Sequence, residues 1–370
     1  MNQELQQLIE ISHFYGRNKD FVIAGGGNTS LKDDECLWIK SSGISLAEID
    51  EDGFVVLSRK SLSKIAQKTY SNNPQIREEE VKEDLNSCIL SKTGRRPSVE
   101  TSLHDLMDYK YIVHTHPTLV NAVMCSQKAA EYTRDLFGEE ALFVEYTDPG
   151  YTLFKKIFDK IALYKQQYNR TPNLLFLENH GIFVAADTID EIKKYYDFVV
   201  EQITKSLKVT LPDSAEIRND ELCELANELN GFNSMIAIPK TSNLIKTFTL
   251  NKEAFSPVST PFSPDHIVYC KSKYLFAEEP NAAFIKEAIT SFNIKNGYLP
   301  KVIAVKGLGL IIMEESEKAA GNVIDLFENM MEICLMASSF GGPQAMTAIQ
   351  IAFIDNWEVE NYRRKVAKQN

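Results

Sequence analysis

The stretch "YIVHTHPTLV", Tyr111–Val120, places two of the chain's six histidines two positions apart inside an apolar, β-branched run. Val, Ile and Tyr at this density predict a buried strand. Alternate side chains of a strand share a face, so His114 and His116 point one way and Thr115 the other. Two imidazoles crowded on one face need a partner, and a metal ion is one that fits. A third histidine, His180, stands in "LENHGIF", where another apolar run meets a glycine. Three imidazoles with an open fourth position is the arrangement of a catalytic rather than a structural zinc site. The alternative is that these are core or surface histidines satisfied by backbone groups.

Outward from this stretch, short apolar runs alternate with helical patterns. Strands are predicted near 21–24, 37–40, 54–57, 111–116, 142–144, 174–177 and 182–185, and helices near 4–14, 60–69, 81–90, 99–107, 153–168 and 189–207. The last helix opens on a capping box, Thr188 with Glu191 three residues on. The pattern predicts a layered α/β domain over residues 1–211. A break falls at "VTLPDSAEI", where Pro212 stops one segment and Asp213 or Ser214 can cap a helix. Residues 212–370 then form a second, smaller α/β lobe. Its segment from Leu299 aligns without gaps to the segment from Thr171, matching Pro172 with Pro300 and Gly181 with Gly309. His180 falls opposite Leu308. A weaker match sets "YIVHTH" beside "HIVYCK" (His266–Lys271). The second lobe thus reads as a degenerate repeat without metal ligands, serving structure or an interface.

Composition bounds the partners. A formal charge of −11 argues against a general nucleic-acid or anionic-membrane surface, while leaving room for a small anionic substrate at a local site. The six cysteines form no CxxC pair, which suits a reduced cytoplasm better than a disulfide framework. The opening "MNQELQQLIEISHFYG" lacks the basic and apolar regions of a signal peptide, and no apolar run reaches the length of a membrane span.

Further candidates surround the histidines. Glu100, in "RRPSVETSLH", follows a helix start at Pro97 and Ser98 and could serve acid–base chemistry, although a first-turn glutamate is commonly just a partner of the helix dipole. His104, one turn on, reads as a packed helix residue. "AGGGNTSLK" (Ala24–Lys32) exposes backbone N–H groups and small polar side chains suited to a phosphate, without matching a dinucleotide or P-loop pattern. "WIKSSG" (Trp38–Gly43) offers a second such turn, and either could be a plain hairpin. Tyr151 and Lys155 spell YxxxK, which we read as chance because no dinucleotide loop precedes it.

"GGGNTS", "SSG", "PSVET", "HTHP" and "ENHG", in this order, resemble the class II aldolase/adducin family. The likeness is greatest to the aldolase half of bifunctional rhamnulose-phosphate aldolase/lactaldehyde dehydrogenase proteins, where "LWIKSSG", "YTDPGY", "SPDHIV", "GLGL" and "DNWEVENYRR" are also familiar. The dehydrogenase half is not in this sequence. The resemblance implies a three-layer αβα catalytic domain that binds zinc, or another divalent transition metal, through His114, His116 and His180. It implies Glu100 as the acid/base and Gly27, Asn28, Ser42, Gly43 and Ser98 as a phosphate cradle. Val99 stands where the small aldolases carry a second serine, so that contact is either lost or replaced by Lys32, Lys40, Arg95 or Arg96, and Lys40 is included in the binding set. The implied reaction is cleavage of a ketose 1-phosphate to dihydroxyacetone phosphate and an aldehyde, in a cytoplasmic homo-oligomer, often a tetramer. The same resemblance admits pentulose-phosphate epimerases, a dehydratase and non-catalytic adducin-like heads.

Overall fold

The computed structural model describes residues 2–92 and 94–356. Of "DNWEVENYRR", all but Asp355 and Asn356 therefore lies outside the described residues. The chain divides into two compact units: residues 1–124 with 129–206, and residues 125–128 with those from 207 onward.

In the first unit the order is α1 (Asn2–Gly16), β1 (Asn28–Lys32), β2 (Cys36–Lys40), β3 (Phe54–Ser58), α2 (Arg59–Gln67), α3 (Pro74–Ser87), α4 (Thr101–Leu106) and β4 (Tyr111–Thr115). There follow α5 (Thr118–Met124), α6 (Ala129–Phe137), β5 (Ala141–Val144), α7 (Tyr151–Tyr168), β6 (Leu174–Leu177), β7 (Gly181–Ala186) and α8 (Ile189–Ser206). The seven strands form one sheet in the order β3-β2-β1-β4-β7-β6-β5. Only the β5–β6 pair is parallel.

Alternation on the strands decides the layers. Ile39, Val55, Ile112, Leu175 and Phe183 face a core shared with Leu62 of α2, Val81 of α3, Leu103 of α4 and Ile157 of α7. On the opposite face the Thr115 hydroxyl lies 2.7 Å from that of Tyr196 on α8, which donates to the Val113 carbonyl. Helices on both faces of one sheet make three αβα layers. The capping box at α8 forms as expected: the Glu191 carboxylate accepts from the Thr188 N–H, and the Glu191 N–H donates to the Thr188 hydroxyl.

One predicted strand is wrong. Residues 21–24 form turns, with Ala24 at φ 52°, and the strand lies instead at Asn28–Lys32, inside the expected phosphate loop. Phe21 is apolar because its ring packs against Tyr15 and Tyr196, at 4.9 and 5.4 Å between centroids. Strand β1 has no apolar run to mark it, because four of its five buried side chains are polar.

The second unit contains α9 (Asp220–Leu229), β8 (Ile236–Lys240), α10 (Asn243–Thr249), α11 (Lys252–Phe255), α12 (Pro264–Cys270) and β9 (Leu275–Ala277). It continues with α13 (Ala282–Asn296), β10 (Val302–Val305), β11 (Gly309–Glu314), α14 (Glu317–Ala337) and α15 (Ala348–Asn356). Asn219, not Asp213 or Ser214, caps its first helix. Its sheet order, β8-β11-β10-β9, repeats the β4-β7-β6-β5 half of the first sheet, with the same two antiparallel pairs and one parallel pair. The gapless alignment superposes β6 on β10 and β7 on β11 residue for residue. Equivalent faces are buried: Leu175, Leu177, Phe183 and Ala185 in one unit, Ile303, Val305, Ile311 and Met313 in the other.

The weaker match fails, because His266–Cys270 belong to helix α12. Register identifies β8 as the counterpart of β4: Pro239 opposes Ile311 as His114 opposes Phe183. Pro239, Thr241 and Leu308 therefore stand where His114, His116 and His180 stand in the first unit.

The glycines that open β7 and β11 meet equivalent neighbours. A Cβ on Gly181 would lie 2.5 Å from the Thr115 carbonyl oxygen, and one on Gly309, at φ +150°, 2.7 Å from the Lys240 carbonyl oxygen. We expect Gly309→Ala to cost about 1–3 kcal/mol through this clash. Gly321→Ala, in helix α14 with open space around it, should instead gain up to about 1 kcal/mol. Urea titrations of the two variants check both signs.

Candidate metal centre

The ends of β4 and β6, the start of β7 and the start of β1 lie at one edge of the seven-stranded sheet, as the antiparallel registers require. His114 is the last inward-facing residue of β4, opposite Asn28 of β1 and Phe183 of β7. His116 lies just past the strand, its N–H donating to the Phe21 carbonyl. His180 occupies the tight turn between β6 and β7, where Asn179 takes a positive φ of 54° and the His180 N–H donates to the Leu177 carbonyl. Gly181 follows because β7 starts against the His116 ring, whose Cδ2 a Cβ there would approach to 2.8 Å.

The three rings form a near-equilateral triangle, with centroids 4.8, 4.9 and 5.0 Å apart. One nitrogen from each lies within 4.8 Å of the other two. The Ile182 carbonyl lies 2.9 Å from His114 Nδ1 and can only accept, so Nδ1 carries the proton and Nε2 turns its lone pair into the triangle. His116 Nε2 lies 3.0 Å from His114 Nε2. Ligand atoms about 2.0–2.1 Å from a tetrahedral zinc sit about 3.3 Å apart, so the spacing suits a divalent ion. Neutral imidazoles also suit zinc, cobalt or nickel by donor softness.

Glu100 completes the group. Its Oε1 lies 3.3 Å from His114 Nε2 and 3.5 Å from His180 Nε2, and its Oε2 accepts from Asn28 Nδ2. Burial acts to raise the Glu100 carboxyl, but the His114, His180 and His116 imidazoles outweigh it and hold the group well below the usual carboxylate range.

The residues expected to form a phosphate cradle lie on segments linked to this group. Gly27, at φ +72°, passes so close to β4 that a Cβ would lie 2.8 Å from the His114 carbonyl oxygen. The turn after β2 is tied to the segment before α4 by a bridge between Ser41 and Pro97 and by the Ser42 N–H donating to the Arg96 carbonyl. Gly43 turns at φ +87°. Ser98 is buried, and its hydroxyl accepts from the Glu100 N–H.

The lysines have partners within the protein. Lys40 is buried and donates to the Ile44 carbonyl, holding the turn from within. Lys32 is buried against the far end of α4 and does not reach the cradle; burial pushes its ammonium down to about 7. Arg95 and Arg96 are exposed beside Pro97. Tyr151 donates to the Lys68 carbonyl and Lys155 pairs with Asp159, so the YxxxK spacing has no shared site.

Residues 6–204 match the family described as Class II Aldolase and Adducin N-terminal domain. The chain belongs to the class II aldolase/adducin family. It is 22% identical over 417 residues to the "Uncharacterized oxidoreductase YuxG" of Bacillus subtilis, covering 98% of this chain and 58% of that protein's length. A class II aldolase domain from Thermoplasma acidophilum is 23% identical with a TM-score of 0.47, covering 54% of this chain and 92% of its own. An L-fuculose 1-phosphate aldolase is 22% identical with a TM-score of 0.39, covering 58% of this chain and 92% of its own. No helix among the described residues is long and apolar enough to cross a membrane.

His104, at the heart of this family domain, is fully buried, and burial pushes its imidazole down to about 3. An unfolded histidine titrates near 6.5, so below that pH the unfolded chain gains a proton that the native one refuses. Stability should fall as pH drops, by about 2 kcal/mol between pH 8 and pH 5 from this residue. Urea unfolding at several pH values should show a shallower slope for His104→Gln than for wild type.

Proposed function

We propose that this protein is a zinc-dependent aldehyde-lyase that cleaves a ketose 1-phosphate, of the rhamnulose 1-phosphate kind, to dihydroxyacetone phosphate and an aldehyde. The observation that carries this reading is the placement of the Glu100 carboxylate within 3.3–3.5 Å of two of three clustered imidazoles. Retro-aldol cleavage leaves an electron pair on carbon beside a carbonyl. A divalent ion held by His114, His116 and His180 would supply Lewis-acid stabilisation of that charge.

The chain's own residues supply the rest. The Ile182 carbonyl orients the His114 ring so that Nε2 faces inward, as a metal ligand requires. Glu100 accepts or returns the proton at the carbon bearing the charge. Asn28 holds Oε2 and so orients the carboxylate. The turns at Gly27–Asn28 and Ser42–Gly43, with Ser98, bind the phosphate and use its remote binding energy to orient the ketose. Lys40 supports the second turn through the Ile44 carbonyl.

Six cysteines with no disulfide between them support a cytoplasmic location. The partners in this reading are the sugar phosphate and further copies of the chain in a homo-oligomer. A lost ligand set, as an adducin-like role would allow, describes the second unit, with its Pro239, Thr241 and Leu308, rather than the first.

Purified protein should carry about one zinc per chain. His114→Ala with His116→Ala should lose it. Glu100→Gln should keep the metal while dihydroxyacetone phosphate release from ketose 1-phosphates falls about 100-fold or more. Metal analysis beside a product assay over a ketose panel checks this, and an epimer or dehydrated product in place of the triose phosphate would overturn the cleavage.

A further inference from the structure

Strand β1 reads Asn-Thr-Ser-Leu-Lys, and the three residues on its inward face are polar and buried: Asn28, Ser30 and Lys32 are 8%, 0% and 4% exposed. Burying polar groups is costly unless each is bonded. All three find their partners on α4 or at its ends. Asn28 donates to Glu100 just before the helix. Ser30 Oγ lies 2.7 Å from His104 Nδ1. Lys32 Nζ donates to the carbonyls of His104 at 2.6 Å, Asp105 at 3.3 Å and Met107. The spacing explains the fit, since two residues of strand advance about 6.8 Å and four of helix about 6 Å.

Helix α4 needs this support. It has six residues, and the Glu100 side chain at its N-cap position makes no capping hydrogen bond. Helices this short are marginal, and their last carbonyls have no internal partners. Lys32 supplies those partners. On its other side His104 meets the edge of Phe183 at 5.3 Å, and Phe183 stacks on His114 at 4.0 Å. The strand therefore ties the helix that carries Glu100 to the ring of a histidine in the triangle.

We propose that Ser30 and Lys32 are positioning residues, which from β1 set the axial position and roll of α4 and hence the placement of the Glu100 carboxylate against the three imidazoles. Ser30 acts through His104, and Lys32 acts through the carbonyls that end the helix. Neither touches the substrate. This rests on the aldolase reading only for its kinetic consequence.

The test compares wild type, Ser30→Ala, Ser30→Thr and Lys32→Met as full chains. Metal content and circular dichroism establish the loaded fold. Two readouts follow: the visible spectrum of the cobalt-loaded protein as a function of pH, and deuterium exchange into dihydroxyacetone phosphate in heavy water. Ser30→Ala and Lys32→Met should keep the metal, move the pH midpoint of the cobalt spectrum, and slow exchange about tenfold or more at little-changed KM, because displacement by about an ångström suffices. Ser30→Thr, which retains the hydroxyl, should recover both. Variants that keep the metal and match wild type in both readouts would overturn the proposal. A wild type that binds metal but exchanges no deuterium would sink the aldolase reading, and the cobalt titration alone would then decide the positioning role. Should Lys32→Met fail to fold, the Ser30 pair decides.

Discussion

The close approach of β7 to the end of β4 is the constraint on which the site depends. Gly181 lies against the Thr115 carbonyl and the His116 ring, leaving no room for a Cβ. This contact brings the turn that carries His180 up to the strand that carries His114. It also puts the Ile182 carbonyl beside His114 Nδ1, which settles the tautomer and turns Nε2 into the cluster. Three ligands from two segments about 65 residues apart in sequence thus follow from one backbone contact.

The second unit separates packing from chemistry within a single chain. It keeps the strand order, the buried faces and the glycine pressed against the neighbouring carbonyl at Lys240. It keeps none of the imidazoles, and the Thr241 hydroxyl instead donates to the Leu308 carbonyl, joining the positions that match His116 and His180. The glycine is demanded by how the two strands meet, whereas the histidines are demanded only by what they hold. Among the described residues the unit has no counterpart of β1, the strand that grips α4 in the first unit.

Burial of polar groups is the other organising feature. Asn28, Ser30, Lys32, Lys40, Ser98 and His104 are all shielded from solvent, and each has a bonded partner on a neighbouring segment. Such bonds are directional, so they specify where a short helix or turn sits more sharply than apolar contact does. They also bring the acid sensitivity attached to His104, which is held neutral in the core.

Much of this protein was already determined by local sequence. The period-2 pattern at Tyr111–Thr115, the glycine after His180, the Thr188–Glu191 box and the gapless match of β6–β7 to β10–β11 all depend on neighbours a few residues away. The three histidines stood out because imidazoles are conspicuous beside apolar runs, whereas Glu100 was singled out by the resemblance of "PSVET" and not by its setting. Strand β1 did not, because its buried face is polar and only a partner 70 residues on makes that face tolerable. The same holds for Lys32, whose carbonyl partners lie on a segment that local sequence does not bring to it. The match of "HIVYCK" to a strand failed for a related reason: an apolar run of that length suits helix or strand, and packing in the second unit chose helix. Local pattern determines which segments can be strands and which residues can do chemistry. Tertiary structure alone decides which buried polar groups find partners, and so which candidates serve the site and which hold it together.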